Sequence, residues 1–336
     1  TIIDGSGIGS IVRIITSNVK IIGFTIRNAG RRGGDWDNAI NLESVDSCCI
    51  SDNLIMDVYG ARWSRGIDLY NSRHNVVMKN TISNIGDCAI WTAYSFGNTI
   101  VENTISNSKA GIYIGSYNDT IVNNIISNCS GDATYGIIVW GDNNKIIDNV
   151  VTNVPYTGIR LNSPSEYPNQ CTNNIVSGNI VSKTNQGIAV GFVSSSNTIT
   201  RNNASDNDMG LFIFDNSDNN TFTNNYVSKN YYGITLFSSN NTKLYHNNFI
   251  DNTQQVLLSD SFDTTWDDGY PSGGNYWSDY TDVDSYNGPY QNETGNDGIW
   301  DHPYVIDESN RDHYPFTPSD ISIVSVEPSS TEVYVG

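Results

Sequence analysis

A repeat of 23 residues between Asn179 and Leu258 constrains the fold of this chain more than any other feature of its sequence. Each copy opens with an asparagine, places an apolar residue two positions later, passes through a polar turn and enters a segment related to Gly-Ile-x-Val. The openers are Asn179, Asn202, Asn225 and Asn248. A constant period in the twenties predicts a solenoid, in which each copy forms one turn of the backbone.

The repeat continues towards the amino terminus with a more variable length. The opening position there is held by Phe24, Asn53, Asn80, Asn103, Asn124 and Asn149. Two residues after the opener lies a first apolar column: Ile26, Ile55, Ile82, Ile105, Ile126, Val151, Val181, Ala204, Val227 and Ile250. The Gly-Ile segment supplies a second: Ile40, Ile67, Ile90, Ile112, Ile137, Ile159, Ile188, Leu211, Ile234 and Val256. Two residues further on lies a third, in which only Thr92 is polar: Leu42, Leu69, Thr92, Ile114, Val139, Leu161, Val190, Ile213, Leu236 and Leu258.

Apolar residues at positions i and i+2 bury one face of a short strand, and copies stacked at ~4.8 Å would share one continuous core. The sequence therefore predicts an all-β fold, a right-handed single-stranded parallel β-helix of about ten coils over residues 1–258. Asparagine tolerates left-handed backbone geometry, and stacked side-chain amides can hydrogen-bond between coils. We therefore expect the openers to lie at the corners.

The repeat fails after Leu258, where aromatic and aspartate residues replace the aliphatic columns. The open end of a solenoid exposes apolar surface and strand edges, so residues 259–318 are predicted to form a C-terminal cap. Residues 260–320 contain 14 acidic residues and one base, Arg311. Because clustered carboxylates favour a hard cation, we predict a structural Ca²⁺ site with the ligands Asp282, Asp284, Asn287, Asp297 and Asp301. Residues 319–336 are predicted to be a linker and the first strand of an immunoglobulin-like domain in a larger protein.

The repeats and the tail together resemble a known family. The NxI…GI.L copies joined by NNT, with the opening TIIDGSGIGS…VKIIGFTIRN, are similar to the NosD and carbohydrate-binding/sugar-hydrolase group of parallel β-helix proteins. The motif NYWSDY at residues 275–280 and the motif DGIWDHPYVID at residues 297–307 resemble the tail of archaeal surface-protein members. The resemblance covers about residues 1–315. It implies an extracellular or cell-surface location and a role among polysaccharide enzymes, binding proteins or surface proteins.

The composition narrows the classes of partner that this chain can bind. The net charge is −19 and no basic stripe is present, which argues against nucleic acid as a partner. A polyanionic sugar would be repelled unless cations bridge it. No apolar run is long enough to span a membrane, and no motif for a nucleotide or organic cofactor is present. Copper, which the NosD name suggests, lacks support because the four histidines and three methionines are not clustered.

Two long turns in the early coils concentrate arginine, aspartate and tryptophan. Stacked coils would join them to the outward column of the Gly-Ile strand, and an indole packs well against the apolar face of a sugar ring. The predicted carbohydrate-binding residues are Arg31, Arg32, Asp35, Trp36, Arg62, Trp63, Asp68, Trp91 and Tyr113. Catalysis would require carboxylates facing one another, or a base with an arginine, and the candidates are Asp68, Glu43 and Arg65.

The sequence thus favours a non-catalytic module of the cell surface, comparable to an S-layer or adhesin component, that binds a glycan. Its other expected partners are flanking domains and further copies packed side by side. The alternative is a polysaccharide-processing enzyme, either a lyase, an epimerase or a glycoside hydrolase, that uses the early-coil residues. Among the Asn-x-Ser/Thr triplets, Asn118, Asn240 and Asn292 are the best candidates for glycosylation, because they are expected at turns.

Overall fold

Each turn of the backbone contains three short strands, and equivalent strands of successive turns pair in parallel. The computed structural model describes residues 1–30, 37–60, 63–131, 134–163 and 171–318. Over these residues the structure is an all-β parallel solenoid of about ten turns, as predicted. No helix among them is long and apolar enough to cross a membrane.

Three sheets form the walls of the solenoid. The first sheet contains Ile2–Asp4, Thr25–Arg27, Leu54–Val58, Thr81–Ile85, Thr104–Ser106, Ile125–Ser127, Asn203–Ser205, Tyr226–Ser228, Asn248–Ile250 and Tyr276–Trp277. The second sheet contains Val12–Ile14, Ile40–Glu43, Arg65–Tyr70, Cys88–Phe96, Ala110–Tyr117, Tyr135–Val139, Met209–Phe214, Tyr232–Phe237 and Gln254–Ser259. Two long strands, Val150–Asn162 and Ile180–Gly191, run through the corner between the first and second sheets and belong to both.

The third sheet contains Lys20–Ile22, Cys49–Ser51, Val76–Met78, Thr99–Val101, Thr120–Val122, Lys145–Ile147, Ile175–Ser177, Thr198–Thr200, Thr221–Thr223 and Lys243–Tyr245. Its central residues form an additional buried column that the sequence analysis did not identify: Ile50, Val77, Ile100, Ile121, Ile146, Val176, Ile199, Phe222 and Leu244. The three predicted columns are confirmed as the inward faces of the first and second sheets, with one exception in register in the last coil, where Val256 and Leu258 are also only half-buried.

The exception is a shift of one residue. Asn225 donates its backbone N–H to Asn247 Oδ1 at 3.0 Å, so Asn247 and not Asn248 continues the column of openers. In the same coil Phe249 pairs with Val227 and is fully buried, whereas Ile250 pairs with Ser228. The sequence reads His-Asn-Asn-Phe-Ile here, and either asparagine satisfies the 23-residue spacing to within one position.

The openers form a ladder of buried amides. At each step the Oδ1 of one asparagine accepts the backbone N–H of the opener in the preceding coil, as between Asn149 and Asn124 at 2.9 Å. The left-handed residue at this corner is the one before the opener, for example Lys79 and Glu102. The expectation that the openers themselves take this conformation is therefore corrected. The side-chain amide of Asn103 bonds the carbonyl of Val101 at 3.1 Å and so closes the turn around that residue.

The carboxyl-terminal segment covers the last coil. Trp277 pairs in register with Phe249 and its ring stacks on that of Phe249 at 4.6 Å, while Tyr304 stacks on the other face of Trp277 at 4.4 Å. The ladder ends on a buried carboxylate, because Asn275 N–H and Trp277 Nε1 both donate to Asp312 Oδ2, at 2.6 and 3.0 Å. Burial raises the pKa of Asp312 to about 7. Residues 319–336, which carry the predicted linker and strand, lie outside the described residues.

Candidate functional site

The outward-facing column of the second sheet carries the candidate site. Its strand register places side by side Asn41, Asp68, Trp91, Tyr113, Ile138 and Arg160. This is the order expected from the repeat. Parallel stacking therefore brings together residues that are separated by more than one hundred positions in the sequence.

Asp68 is buried at 4% exposure, and the neighbouring Arg65 at 1%. Arg65 Nη1 donates to Asp68 Oδ2 at 2.7 Å, and Asn38 Nδ2 donates to the same oxygen at 2.9 Å. Burial raises the pKa of Asp68, whereas the adjacent Arg65 opposes this shift. Asp68 is therefore the counter-ion of a buried arginine.

Arg65 also supports the tryptophan above it. Its Cζ atom lies 3.3 Å from the centre of the Trp91 ring and 5.7 Å from that of Trp63, whose side chain is 47% exposed. A guanidinium held against an indole face is attracted by the ring quadrupole. The pair of Arg65 and Asp68 therefore fixes one face of Trp91.

A groove with a volume of 480 Å³ opens along the outer face of the second sheet beyond Trp91. We call it the aromatic groove and define it by its lining residues: Trp63, Asp87, Cys88, Trp91, Lys109, Ala110, Tyr113, Tyr135, Ile138, Trp140, Tyr156, Arg160, Asn162 and Phe192. It spans the coils from Trp63 to Phe192. Of the predicted carbohydrate-binding residues, the structure brings Trp63, Trp91 and Tyr113 into this groove.

The rings in the groove form a nearly continuous aromatic surface. Trp91 and Tyr113 have ring centres 6.0 Å apart, and Tyr113 and Trp140 have centres 5.1 Å apart. Burial raises the pKa of Tyr113, so its phenol is neutral near pH 7. The indole Nε1 of Trp140 is buried and makes no hydrogen bond with the described residues. Rings of this kind can pack against sugar faces.

Sequence reasoning missed Tyr135, Trp140, Tyr156 and Phe192. Their positions in the repeat could have indicated them. Tyr135 begins the strand Tyr135–Val139 and Trp140 follows it, Tyr156 lies within the strand Val150–Asn162, and Phe192 follows the strand Ile180–Gly191. Tyr135 pairs with Thr157 of the next coil, and its ring meets that of Tyr156 at 5.8 Å. Which ends of these strands share a surface depends on the lengths of the turns between them, and these lengths vary.

Three charged side chains line the groove. Lys109 Nζ lies 3.9 Å from Asp87 Oδ1. Burial raises the pKa of Asp87, and the nearby Lys109 opposes that shift. Arg160 is 5% exposed and donates from Nε to Asn162 Oδ1 at 3.1 Å. Asp87 is the single carboxylate among the described lining residues.

The other early-coil candidates are Glu43 and five residues outside the described ranges. Glu43, proposed as a catalytic partner, accepts from Arg13 Nε at 2.9 Å at the surface. Five of the predicted binding residues lie outside the described residues: Arg31, Arg32, Asp35, Trp36 and Arg62.

The predicted calcium ligands bond to nearby backbone and side-chain groups. Asp301 accepts from Ser285 N and Tyr286 N, Asp284 accepts from the backbone N–H groups of residues 297 and 298, and Asp282 accepts from His302. Asp297 accepts from Gln291 Nε2 at 3.1 Å. Over the described ranges, no three His, Cys, Asp or Glu side chains are grouped so that they could hold a metal ion. The calcium site, with Asn287 as its further ligand, stays a prediction.

The glycosylation candidates differ in accessibility. Asn118 and Asn292 are exposed. Asn240 is half-buried, its Oδ1 accepts from Phe262 N at 2.9 Å, and Thr242 of the same triplet is fully buried. The geometry therefore favours Asn118 and Asn292 over Asn240 as acceptors.

A family profile described as "Periplasmic copper-binding protein (NosD)" matches residues 7–162 and 129–282. This chain belongs to the NosD family. No curated protein shows a significant match to it. The copper of the NosD description does not fit the donors of this chain. Its four histidines are dispersed, and each has a hydrogen-bonding or ion-pair partner: His74, His246, His302 and His313. Burial raises the pKa of Cys129 and of Cys171 to about 12, which disfavours metal-binding thiolates.

Solved structures similar to this NosD-family chain include tailspikes and an epimerase. The tailspike of E. coli bacteriophage HK620, in complex with a pentasaccharide, has a TM-score of 0.58 at 14% identity and covers 80% of the chain. The Azotobacter vinelandii mannuronan C-5 epimerase AlgE4 A-module has a TM-score of 0.50 at 10% identity, covering 76% of the chain and 80% of the module. The receptor-binding tailspike of bacteriophage Det7 has a TM-score of 0.50 at 13% identity and covers 67% of the chain.

At these identities the likeness is one of fold. The chain spans 56% of the HK620 tailspike and 48% of the Det7 protein.

Proposed function

We propose that this protein is a non-catalytic module that binds an extended glycan in the aromatic groove. The observation that carries the proposal is the row of Trp91, Tyr113 and Trp140, whose ring centres are 6.0 and 5.1 Å apart on adjacent coils. Each ring offers an apolar face to a sugar, and the spacing of the coils repeats along the axis in the way that sugar units repeat along a polysaccharide. The HK620 tailspike, which has the same fold, is a protein in complex with a pentasaccharide.

The groove itself argues for binding without turnover. Glycoside hydrolysis requires two carboxyl groups about 5–5.5 Å or about 6.5–9.5 Å apart. Asp87 is the carboxylate that lines the described part of the groove, and Asp68 is buried against Arg65 and Asn38. A carboxylate that is committed to a buried arginine would leave that charge unpaired if it reacted.

The proposal is tested on a glycan array with the wild-type chain and two variants. Trp91→Ala removes a ring of the groove, whereas Tyr94→Ala removes an aromatic side chain that is 75% exposed and does not line the groove. We expect Trp91→Ala to weaken binding by roughly tenfold or more and Tyr94→Ala to leave it unchanged. Equal binding by all three proteins would place the glycan elsewhere.

An activity screen addresses the alternative class of function. Bound polysaccharides are incubated with wild type and with Asp68→Asn, and the products are followed as reducing ends, unsaturated sugars and epimer ratio. We expect no product from either protein. Turnover by the wild type that Asp68→Asn abolishes would establish the enzyme, whether lyase, epimerase or glycoside hydrolase, and refute the non-catalytic module.

Location and further partners belong to the same proposal. We place the protein outside the cytoplasm, at the cell surface, because its family is described as periplasmic and a glycan is its proposed ligand. The proposed structural calcium ion would neutralise part of the acidic cap. The further partners in this proposal are flanking domains of a larger surface protein and other copies of the chain, which would pack against the exposed sides of the solenoid.

A further inference from the structure

The most informative charged group of the groove is Arg160, whose side chain extends from the outer face of the second sheet between Ile138 and Ala189. Its Cζ atom lies close to four ring centres: 5.0 Å from Phe214, 5.2 Å from Phe192, 5.5 Å from Tyr135 and 5.9 Å from Tyr156. The guanidinium is thus held in a fixed position inside an aromatic cage, with Nε bonded to Asn162.

Among the described residues, no carboxylate forms an ion pair with Arg160. Arg65, whose side chain lies against the same face, is by contrast neutralised by Asp68. The acid of the groove, Asp87, lies beside Lys109 instead. Burying a cation without an anion costs free energy that ring contacts offset only in part.

A guanidinium presents a rigid planar fork of donors that matches a carboxylate or sulfate group. Arg160 lines the groove, and its Nε is bonded to Asn162. We propose that Arg160 is a specificity-determining residue that binds the acidic group of a sugar, so that the aromatic groove takes an acidic glycan in preference to a neutral one. This inference rests on the proposed function and adds the chemical class of the ligand.

The net charge of −19 does not exclude such a ligand. Exposed charges are screened beyond ~8 Å at physiological ionic strength, so the local balance decides at short range. In the described lining of the groove that balance is +1, from Lys109 and Arg160 against Asp87. The repulsion of a polyanion that the net charge implies therefore applies to the remainder of the surface and not to the groove.

The test uses an array of matched glycan pairs. The carboxylate arm holds oligomers of galacturonate, mannuronate and glucuronate beside oligomers of the corresponding neutral hexoses. The sulfate arm holds a sulfated galactan oligomer beside its desulfated form. We expect acidic members to bind roughly tenfold or more tightly than their neutral partners, and the stronger arm identifies the acidic group.

Variants at Arg160 assign that preference. Arg160→Gln is expected to bring the acidic members down to the neutral level while neutral binding is retained, and Arg160→Lys is expected to keep part of the preference. Arg73→Gln is the matched control, since Arg73 also lies near a ring, 5.8 Å from Phe96, but lies outside the groove and pairs with Asp46. Melting temperatures confirm that each variant is folded.

The outcomes separate the two proposals. Binding of neutral glycans alone, or an acidic preference unchanged in folded Arg160→Gln and Arg160→Lys, overturns the inference and leaves the glycan-binding function standing. Binding of no glycan on the array overturns the proposed function together with the inference. If Arg160→Gln is unfolded, the comparison of Arg160→Lys with Arg73→Gln decides. A smaller preference for acidic glycans in Arg160→Lys supports the inference, and an equal preference overturns it. A residue that only packs would not separate acidic from neutral glycans.

Discussion

Replacing one asparagine of the corner ladder should destabilise the solenoid by more than the side chain's size implies. Asn124 lies in mid-ladder, and its Oδ1 accepts both the backbone N–H and the side-chain Nδ2 of Asn103 at 3.0 Å. Its own Nδ2 donates to the carbonyls of Ile100 and Val122 and to Asn149 Oδ1. Asn124→Ala removes all five hydrogen bonds while the backbone stays in place.

The magnitude follows from what the substitution leaves unsatisfied. The Nδ2 of Asn103 keeps the carbonyls of Val77 and Val101, but the backbone N–H of the fully buried Asn103 loses its acceptor. A buried donor left without a partner costs about 1–3 kcal/mol, and the carbonyl of Ile100 loses a donor as well. We expect the free energy of unfolding to fall by about 2–4 kcal/mol.

Urea unfolding followed by tryptophan fluorescence measures this change, and hydrogen exchange of the Asn103 amide localises it. Asn185→Ala is the matched control, because Asn185 makes one exposed side-chain hydrogen bond, to Asp208 at 2.8 Å. The control should cost less than about 0.5 kcal/mol. A loss below about 1 kcal/mol for Asn124→Ala, with Asn103 exchange unchanged, would refute the idea that the amide ladder stabilises the corner.

Three further predictions concern the cap. Burial raises the folded pKa of Asp312 to about 7 from an ordinary value of 3.8, so the folded state binds the proton more tightly, and stability should fall as pH rises from about 4 to about 7, by up to roughly 4 kcal/mol. Asp312→Asn should flatten that part of the stability profile, and an unchanged profile would contradict this origin. Trp277→Ala removes the ring stacked between Phe249 and Tyr304 and should cost about 3–5 kcal/mol in urea unfolding, whereas a loss of less than 1 kcal/mol would mean that the cap does not seal the last coil. For the proposed calcium ion, chelation should lower the melting temperature and calcium should restore it but magnesium should not; a melting temperature that ignores both steps would rule the ion out.

The carboxylate at Asp119 illustrates how far sequence periodicity reaches. It occupies the asparagine position of a second ladder, at the opposite end of the third-sheet strands, where Asn98 N donates to it at 2.7 Å. The serine and threonine that contact it, Ser116 and Thr92, include the only polar residue of the third apolar column. Burial raises the pKa of Asp119 to about 6. The sequence marks Thr92 as an exception, and the structure gives the reason.

The sequence alone determined the solenoid, because columns of aliphatic residues at strand spacing are buried when successive copies stack in parallel. It also predicted the neighbours Asp68, Trp91 and Tyr113, since strand register is set by the same columns. It failed by one residue at Asn248, where two adjacent asparagines fit the period equally well.

Only the tertiary structure decided which side chains are accessible. Asp68 lies on the outward face by periodicity, yet it is buried against Arg65, whose Cζ atom lies 3.3 Å from the centre of the Trp91 ring. Trp140 and Arg160 both line the groove, although Trp140 follows the strand Tyr135–Val139 and Arg160 lies within the strand Val150–Asn162. Periodicity fixes the path of the backbone through local, repeated interactions, whereas exposure depends on side chains from neighbouring coils that share no spacing in the sequence.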